Sequence, residues 1–146
     1  MKLSTKGRYG ARAALELALR YGSGPVMVRE IAGSQEISER YLEHILNSLR
    51  ASGLVRSTRG ARGGYELAKP PSDITLGDVV RSLEGPLDIV SCTRDEDCRR
   101  AAVCVTMKVW RDVRDAIEGV LEAVTLEELS TRYRNISSRA VQDYDI

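Results

Sequence analysis

The stretch Ser38–Leu67, SERYLEHILNSLRASGLVRSTRGARGGYEL, decides how this 146-residue chain folds. Leu42, Ile45, Leu46 and Leu49 recur at i, i+3, i+4 and i+7, which predicts a helix with one buried stripe. Glu39, Arg40, Glu43, His44, Asn47 and Arg50 then face outward. Ser38 is placed to cap the start of this helix and Gly53 to end it. Beyond Gly53, Leu54–Thr58 and Tyr65–Ala68 read as two short strands, joined by a glycine-rich tip, Arg59–Gly64, that carries two arginines. Just upstream, Val28–Ser34 reads as a short helix connected through Gln35-Glu36-Ile37. Helix, tight turn and amphipathic helix make a helix-turn-helix, and the hairpin after it makes a wing.

Working outward, a first helix is expected from Ser4 or Thr5 to about Gly22, where Gly22-Ser23-Gly24-Pro25 breaks it. After the wing, Pro70–Asp73 marks a stop, and Thr75 with Asp78 caps a helix from Leu76 to Leu83 that Gly85-Pro86 ends. From about Val103 the chain turns helical again. Trp110, Val113, Ile117, Val120 and Val124 alternate spacings of three and four, a heptad-like seam that needs an apolar partner. A second copy of the chain would supply one and would set two recognition helices about one DNA turn, roughly 34 Å, apart. Thr125–Glu128 (TLEE) opens a short final helix to about Tyr133, and the polar residues after Arg134 are expected to be loose. The expected fold is therefore mostly α: a winged helix-turn-helix DNA-binding domain (1–69) with a two-stranded wing, a connecting helix and cysteine-bearing loop (70–102), a long C-terminal dimerisation helix with the short terminal helix (103–134), and a flexible tail (135–146).

A net charge of +1 conceals an asymmetry. Residues 1–69 hold twelve basic and six acidic side chains, and the remaining 77 hold ten basic and fifteen acidic. A basic half points to a polyanion, here double-stranded DNA. Charged residues interrupt every apolar run near Met1, and no run approaches membrane-spanning length, so neither a signal peptide nor membrane association is expected and the location is expected to be cytoplasmic.

All three cysteines, Cys92, Cys98 and Cys104, lie six residues apart within SCTRDEDCRRAAVC (91–104). Thiolates favour iron–sulfur clusters, zinc or copper(I), and Arg94, Arg99 and Arg100 nearby would ease loss of the protons. The paired C-x2-C spacing that zinc prefers is missing. A metal-free thiol switch, or a polar loop in which cysteine is merely a small residue, stays open on spacing alone. A thiol oxidoreductase would want a C-x-x-C pair and a nearby base, and the chain offers neither, so no catalytic residues are assigned and no enzyme is expected. A cluster-carrying scaffold without nucleic acid sits poorly with the basic half and the wing.

With these motifs in this order, the chain resembles the IscR-type iron–sulfur regulators, winged-helix transcription factors of the broader Rrf-two family, from Met1 to about Leu129. The matching stretches are LSTKGRYG (3–10), SERYLEHILNSLRASGLV (38–55), STRGARGGYELAK (57–69), ITLGDVVRSLEG (74–85), the three evenly spaced cysteines, and VWRD (109–112). The resemblance implies a homodimer that binds promoter DNA, senses iron–sulfur status and controls genes of cluster biogenesis. It implies a 2Fe-2S cluster on Cys92, Cys98 and Cys104, DNA contacts from Ser38, Arg40, Tyr41 and Glu43, and Arg59 in the minor groove. Arg62, Lys6, Arg8 and Arg50 are expected on phosphates.

The chain departs from that pattern at the fourth ligand. The histidine that such regulators place three residues after the third cysteine is Met107 here, and the acidic ligand that nitric-oxide-sensing relatives borrow from the first helix corresponds to Arg8. Met107, Asp88, another carboxylate or a small exogenous ligand are the candidates, because His44, the only histidine, belongs to the outer face of the recognition helix. The alternative within the same fold is a thiol- or nitric-oxide-responsive repressor, for instance of cysteine metabolism, without a stable cluster.

Overall fold

The computed structural model of the chain describes residues 2–94 and 98–144. In chain order its helices are α1 (Thr5–Leu19), α2 (Val28–Gln35), α3 (Glu39–Ala51), α4 (Leu76–Glu84), α5 (Val105–Glu122) and α6 (Leu126–Tyr144), with strands β1 (Val55–Thr58) and β2 (Gly64–Leu67) between α3 and α4. Leu42, Ile45, Leu46 and Leu49 on α3 have no exposed surface and form the centre of the core with Leu17, Ile31, Val55, Leu67, Ile74 and Leu126. Each such aliphatic side chain contributes about 1.5–3 kcal/mol by leaving water, so the α3 stripe alone fixes which face of that helix is free. Ser38 caps it, accepting from the Tyr41 amide at 3.1 Å.

α1 packs across α4, and small residues let it approach closely. A Cβ on Gly10 would overlap Leu83, and one on Gly7 would overlap the Glu84 carboxylate. That carboxylate accepts from the Ser4 amide at 3.2 Å and the Gly7 amide at 3.1 Å, and also from the Ser4 hydroxyl. An anion from α4 thus sits on the free amides that begin α1, where the helix dipole favours negative charge. At the other end of α1, the buried Glu16 accepts from Arg20 at 3.1 Å, from Gln35 at 2.8 Å and from the Ser34 hydroxyl, which fixes α1 against the end of α2. α2 then closes through Glu36, whose left-handed φ of 55° turns the chain toward α3.

The wing is an antiparallel hairpin in the register Val55↔Leu67, Arg56↔Glu66, Ser57↔Tyr65 and Thr58↔Gly64. Val26, ahead of α2, bridges Tyr65 with reciprocal backbone bonds of 2.8 Å and acts as a third short edge. Gly64 is required there, because a Cβ would strike the Val26 carbonyl.

α4 begins with the expected capping box, Asp78 N–H to the Thr75 hydroxyl at 3.0 Å and Thr75 N–H to the Asp78 carboxylate at 2.9 Å. The far end of α5 is fastened to the same point. The Leu76 amide donates to the Val124 carbonyl at 2.8 Å, the Leu126 amide to Ile74 at 2.9 Å, and Arg81 pairs with Glu122. At its near end α5 buries Met107.

The chain's last segment differs from its sequence reading. Residues 135–144, expected as a flexible tail, continue α6. An i,i+4 ion pair, Arg132 with Glu128, precedes this extension, and the Ser138 hydroxyl returns to the Asn135 carbonyl at 3.0 Å within it. Among the described residues no helix is long and apolar enough to cross a membrane. Leu46→Ala is expected to cost about 2–5 kcal/mol in urea unfolding, because the α3 stripe is closed on all sides and the cavity cannot collapse without moving α1.

Candidate nucleic-acid interface and cysteine segment

With its apolar stripe buried, α3 presents Glu39, Arg40, Glu43, His44, Asn47 and Arg50 to solvent. Arg40 and Glu43 form no ion pair among the described residues, and Glu43 lies one turn before Asn47 on this face. Ser38 is exposed at the helix start with its hydroxyl engaged as the cap. Tyr41 is half buried instead of outward, because its ring meets Tyr9 of α1 edge-on at 6.2 Å. The Arg12 guanidinium lies over the Tyr9 ring, 5.2 Å from its centroid. Arg8 is exposed and Lys6 half buried on the first turns of α1.

Two contacts that sequence reading did not anticipate lock the wing to α3. Arg50 donates to the Ser57 hydroxyl of β1 at 3.1 Å, and the Tyr65 hydroxyl of β2 donates to Asn47 Oδ1 at 3.4 Å. Arg56 and Glu66 pair across the hairpin at 2.8 Å. Arg59 and Arg62 at the tip stay exposed and without an ion pair among the described residues. Only long-range pairing reveals these partners, although Asn47 and Arg50 were already legible as outward residues.

The cysteine segment spans the gap between α4 and α5. Cys92 lies in a 3₁₀ turn, Ser91–Thr93, and Cys104 is the residue that starts α5; all three cysteines are half buried and free. The Cys104 thiol is held below its ordinary pKa by the Thr106 hydroxyl at 3.4 Å, then by the amides of Met107 and Thr106 and the charge of Arg100. The donors are thus of the soft kind that iron–sulfur chemistry uses, and one is already biased toward thiolate. They are not gathered: among the described residues, no group of three or more His, Cys, Asp and Glu side chains is placed to hold a metal. Met107 is turned inward, 8% exposed, and Asp88 is buried against Thr93, Arg94 and Arg114.

An exposed amphipathic helix joined to a hairpin with two exposed arginines defines the class: a winged helix-turn-helix DNA-binding transcriptional regulator. A family model described as "Iron-dependent Transcriptional regulator", Rrf2, matches residues 3–132. The chain belongs to the Rrf2 family. It is 39% identical over 145 residues to the HTH-type transcriptional regulator IscR of Photorhabdus laumondii, covering 99% of this chain and 88% of that protein. Among solved structures it is similar to CymR (YrzC), the global cysteine regulator of B. subtilis, with a TM-score of 0.76 and 44% identity over 90% of this chain and 98% of that one. It is also similar to T. potens IscR, with a TM-score of 0.75 and 43% identity over 91% and 88% of the two chains.

Thr106→Val is expected to raise the Cys104 pKa toward that of an ordinary thiol. In reduced, metal-free protein, alkylation of Cys104 at neutral pH, followed by peptide mass spectrometry, should then slow while labelling of Cys92 and Cys98 does not change.

Proposed function

We propose that the protein is a homodimeric regulator of promoter DNA whose cysteine segment carries an iron–sulfur cluster, of the 2Fe-2S type, and that it controls genes of cluster biogenesis. The observation that carries this reading is the placement of all three cysteines in the one segment that joins α4 to α5, with the thiolate-favouring Cys104 as the first link into α5. Cys92, Cys98 and Cys104 would hold the cluster, which when bound supplies a tie that responds to iron and to oxidants. The inward turn of Met107 leaves the fourth position to a carboxylate or a small exogenous ligand.

The dimer is supported by the outer face of α5. Val109, Trp110, Val113 and Val120 are 37–67% exposed, and with Ile117 and Val124 half buried beside them they make an apolar strip unsuited to water. A second copy of α5 would cover it and set the two α3 helices for successive major grooves. On each head, Arg40 and Glu43 with Ser38 and Tyr41 would meet bases and backbone, and Arg59 would enter the minor groove. Lys6, Arg8, Arg50 and Arg62 would meet phosphates. A carboxylate at Glu43 can accept from cytosine N4 and repels phosphate when the register is wrong.

A second reading, a regulator that responds through its thiols with no cluster, is favoured by the scattered placement of the donors and by the likeness to CymR. Anaerobic supply of iron and sulfide separates the two. The wild type is expected to colour and the triple Cys92→Ala, Cys98→Ala, Cys104→Ala variant to stay colourless. Their affinities for at least one operator are expected to differ about tenfold. Colourless wild-type protein with unchanged DNA binding would favour the second reading.

Arg59→Ala is expected to lose about 1–3 kcal/mol of operator affinity, with relaxed preference at the base pairs beneath the wing. Arg62→Ala should weaken all sequences alike and flatten the log–log salt dependence by about one, measured by fluorescence anisotropy.

A further inference from the structure

We infer that Arg114 of α5 is the positioning residue that couples the cysteine segment to the dimerisation helix, through the buried carboxylate of Asp88. The inference rests on the reading of that segment as the sensing element.

Asp88 follows the Gly85-Pro86 break, and its side chain is only 6% exposed. A carboxylate so enclosed needs partners. Thr93, also buried, donates its hydroxyl to Asp88 Oδ1 at 3.1 Å, with the Val90 carbonyl as a second acceptor at 2.8 Å. Arg94 brings its charge against Oδ2 without the alignment of a hydrogen bond. Thr93 and Arg94 directly follow Cys92, so the carboxylate is tied to the Ser91–Thr93 turn.

The remaining partner comes from another element. Arg114, in the middle of α5, donates to the Thr93 carbonyl at 3.2 Å and stands 4.0 Å from Asp88 Oδ1. The same guanidinium holds Asp115 on its own helix, through Nε at 3.0 Å and a terminal nitrogen at 2.8 Å. It therefore holds both partners at once, the Thr93 carbonyl of the Cys92 turn through one terminal nitrogen and Asp115 of α5 through the other and Nε.

The ends of the segment are fixed to different degrees. Cys104 immediately precedes α5 and moves with its start, whereas the Cys92 turn packs against α5 and, among the described residues, is hydrogen-bonded to it through this bridge. An event that draws the three thiols together, or that enlarges Cys92, loads the Ser91–Thr93 turn. It then either pulls α5 through Arg114 or breaks the bridge. Because α5 is also the proposed dimer seam, either outcome changes how two heads are set. The coupling then works through a second arrangement, with the bridge to Thr93 broken and the Asp115 pair kept, as coupling between distant sites requires.

The test compares full-length wild type and Arg114→Gln, each metal-free and after anaerobic supply of iron and sulfide, by hydrogen exchange of residues 105–122 and by operator affinity. In the wild type the two forms are expected to differ in both readouts. In Arg114→Gln the colour should persist and metal-free DNA binding should be unchanged, while the difference between forms falls about fivefold or more. Arg114→Lys, which keeps the charge toward Asp88 and loses the fork, should recover part of the difference. A purely structural role for Arg114 would instead shift both forms equally.

A full wild-type difference in Arg114→Gln overturns the inference. If Arg114→Gln fails to fold, Arg114→Met, which keeps the aliphatic stem and loses the donors to Thr93, takes its place with the same expected loss. Should the wild type take up no cluster, the cluster reading fails by itself, and the same comparison made with iodoacetamide-alkylated cysteines decides the coupling. Exchange in α5 that responds to alkylation in wild type but not in Arg114→Gln supports it, and exchange that ignores alkylation in wild type overturns it.

Discussion

Burial of four aliphatic side chains on one side of α3 is the constraint from which the rest of the head follows. With Leu42, Ile45, Leu46 and Leu49 at zero exposure, a helix of fixed pitch has no freedom in where it puts Arg40, Glu43 and Asn47. α1 and α2 close over that stripe, and the wing docks beside its end through Leu67 and Val55. Rotation of α3 by even one residue would bring charged side chains into the core, so the surface offered to DNA is as well determined as the core itself.

The linker between α4 and α5 obeys a different constraint. Its boundaries are firm: Glu84 is held by the start of α1, and α5 is strapped to the start of α4 by the Leu76–Val124 and Leu126–Ile74 backbone bonds. Between those boundaries the described residues form short 3₁₀ turns and no regular ladder, with polar side chains supplying internal bonds. Such a segment can change shape without unfolding what lies on either side, which suits the sensing role proposed for it. The Cys104 thiol at the helix start and the buried Asp88 give it chemistry at both ends.

What could be read from the sequence was what is local. The α3 stripe, the Ser38 cap, the Thr75–Asp78 capping box and the two-stranded wing all depend on residues within a few positions of one another. The structure has them where periodicity and turn chemistry put them. What escaped was long-range: the Glu84 carboxylate on the amides of α1, the Val26–Tyr65 bridge, and Arg114 reaching back 21 residues to Thr93. No periodicity marks such pairs. The end of α6 escaped for another reason. Asn135, Ser137 and Ser138 are weak helix formers, and the segment is exposed, so composition resembled that of a loose tail, while Ile136 and Ala140 kept helical spacing. At the cysteines, identity and spacing were plain, but the inward turn of Met107 depends on how α5 packs on α4.

The short edge at Val26 has a consequence for signalling. By joining the approach to α2 with the root of the hairpin, it makes the parts that face the two grooves a single stiff piece, with only the arginine-bearing tip left to adapt. Under the proposed function, a message arriving from the thiols would therefore have little scope to reshape either reading head. What it would alter in the proposed dimer is the distance and angle between heads, a quantity that the spacing of operator half-sites measures directly.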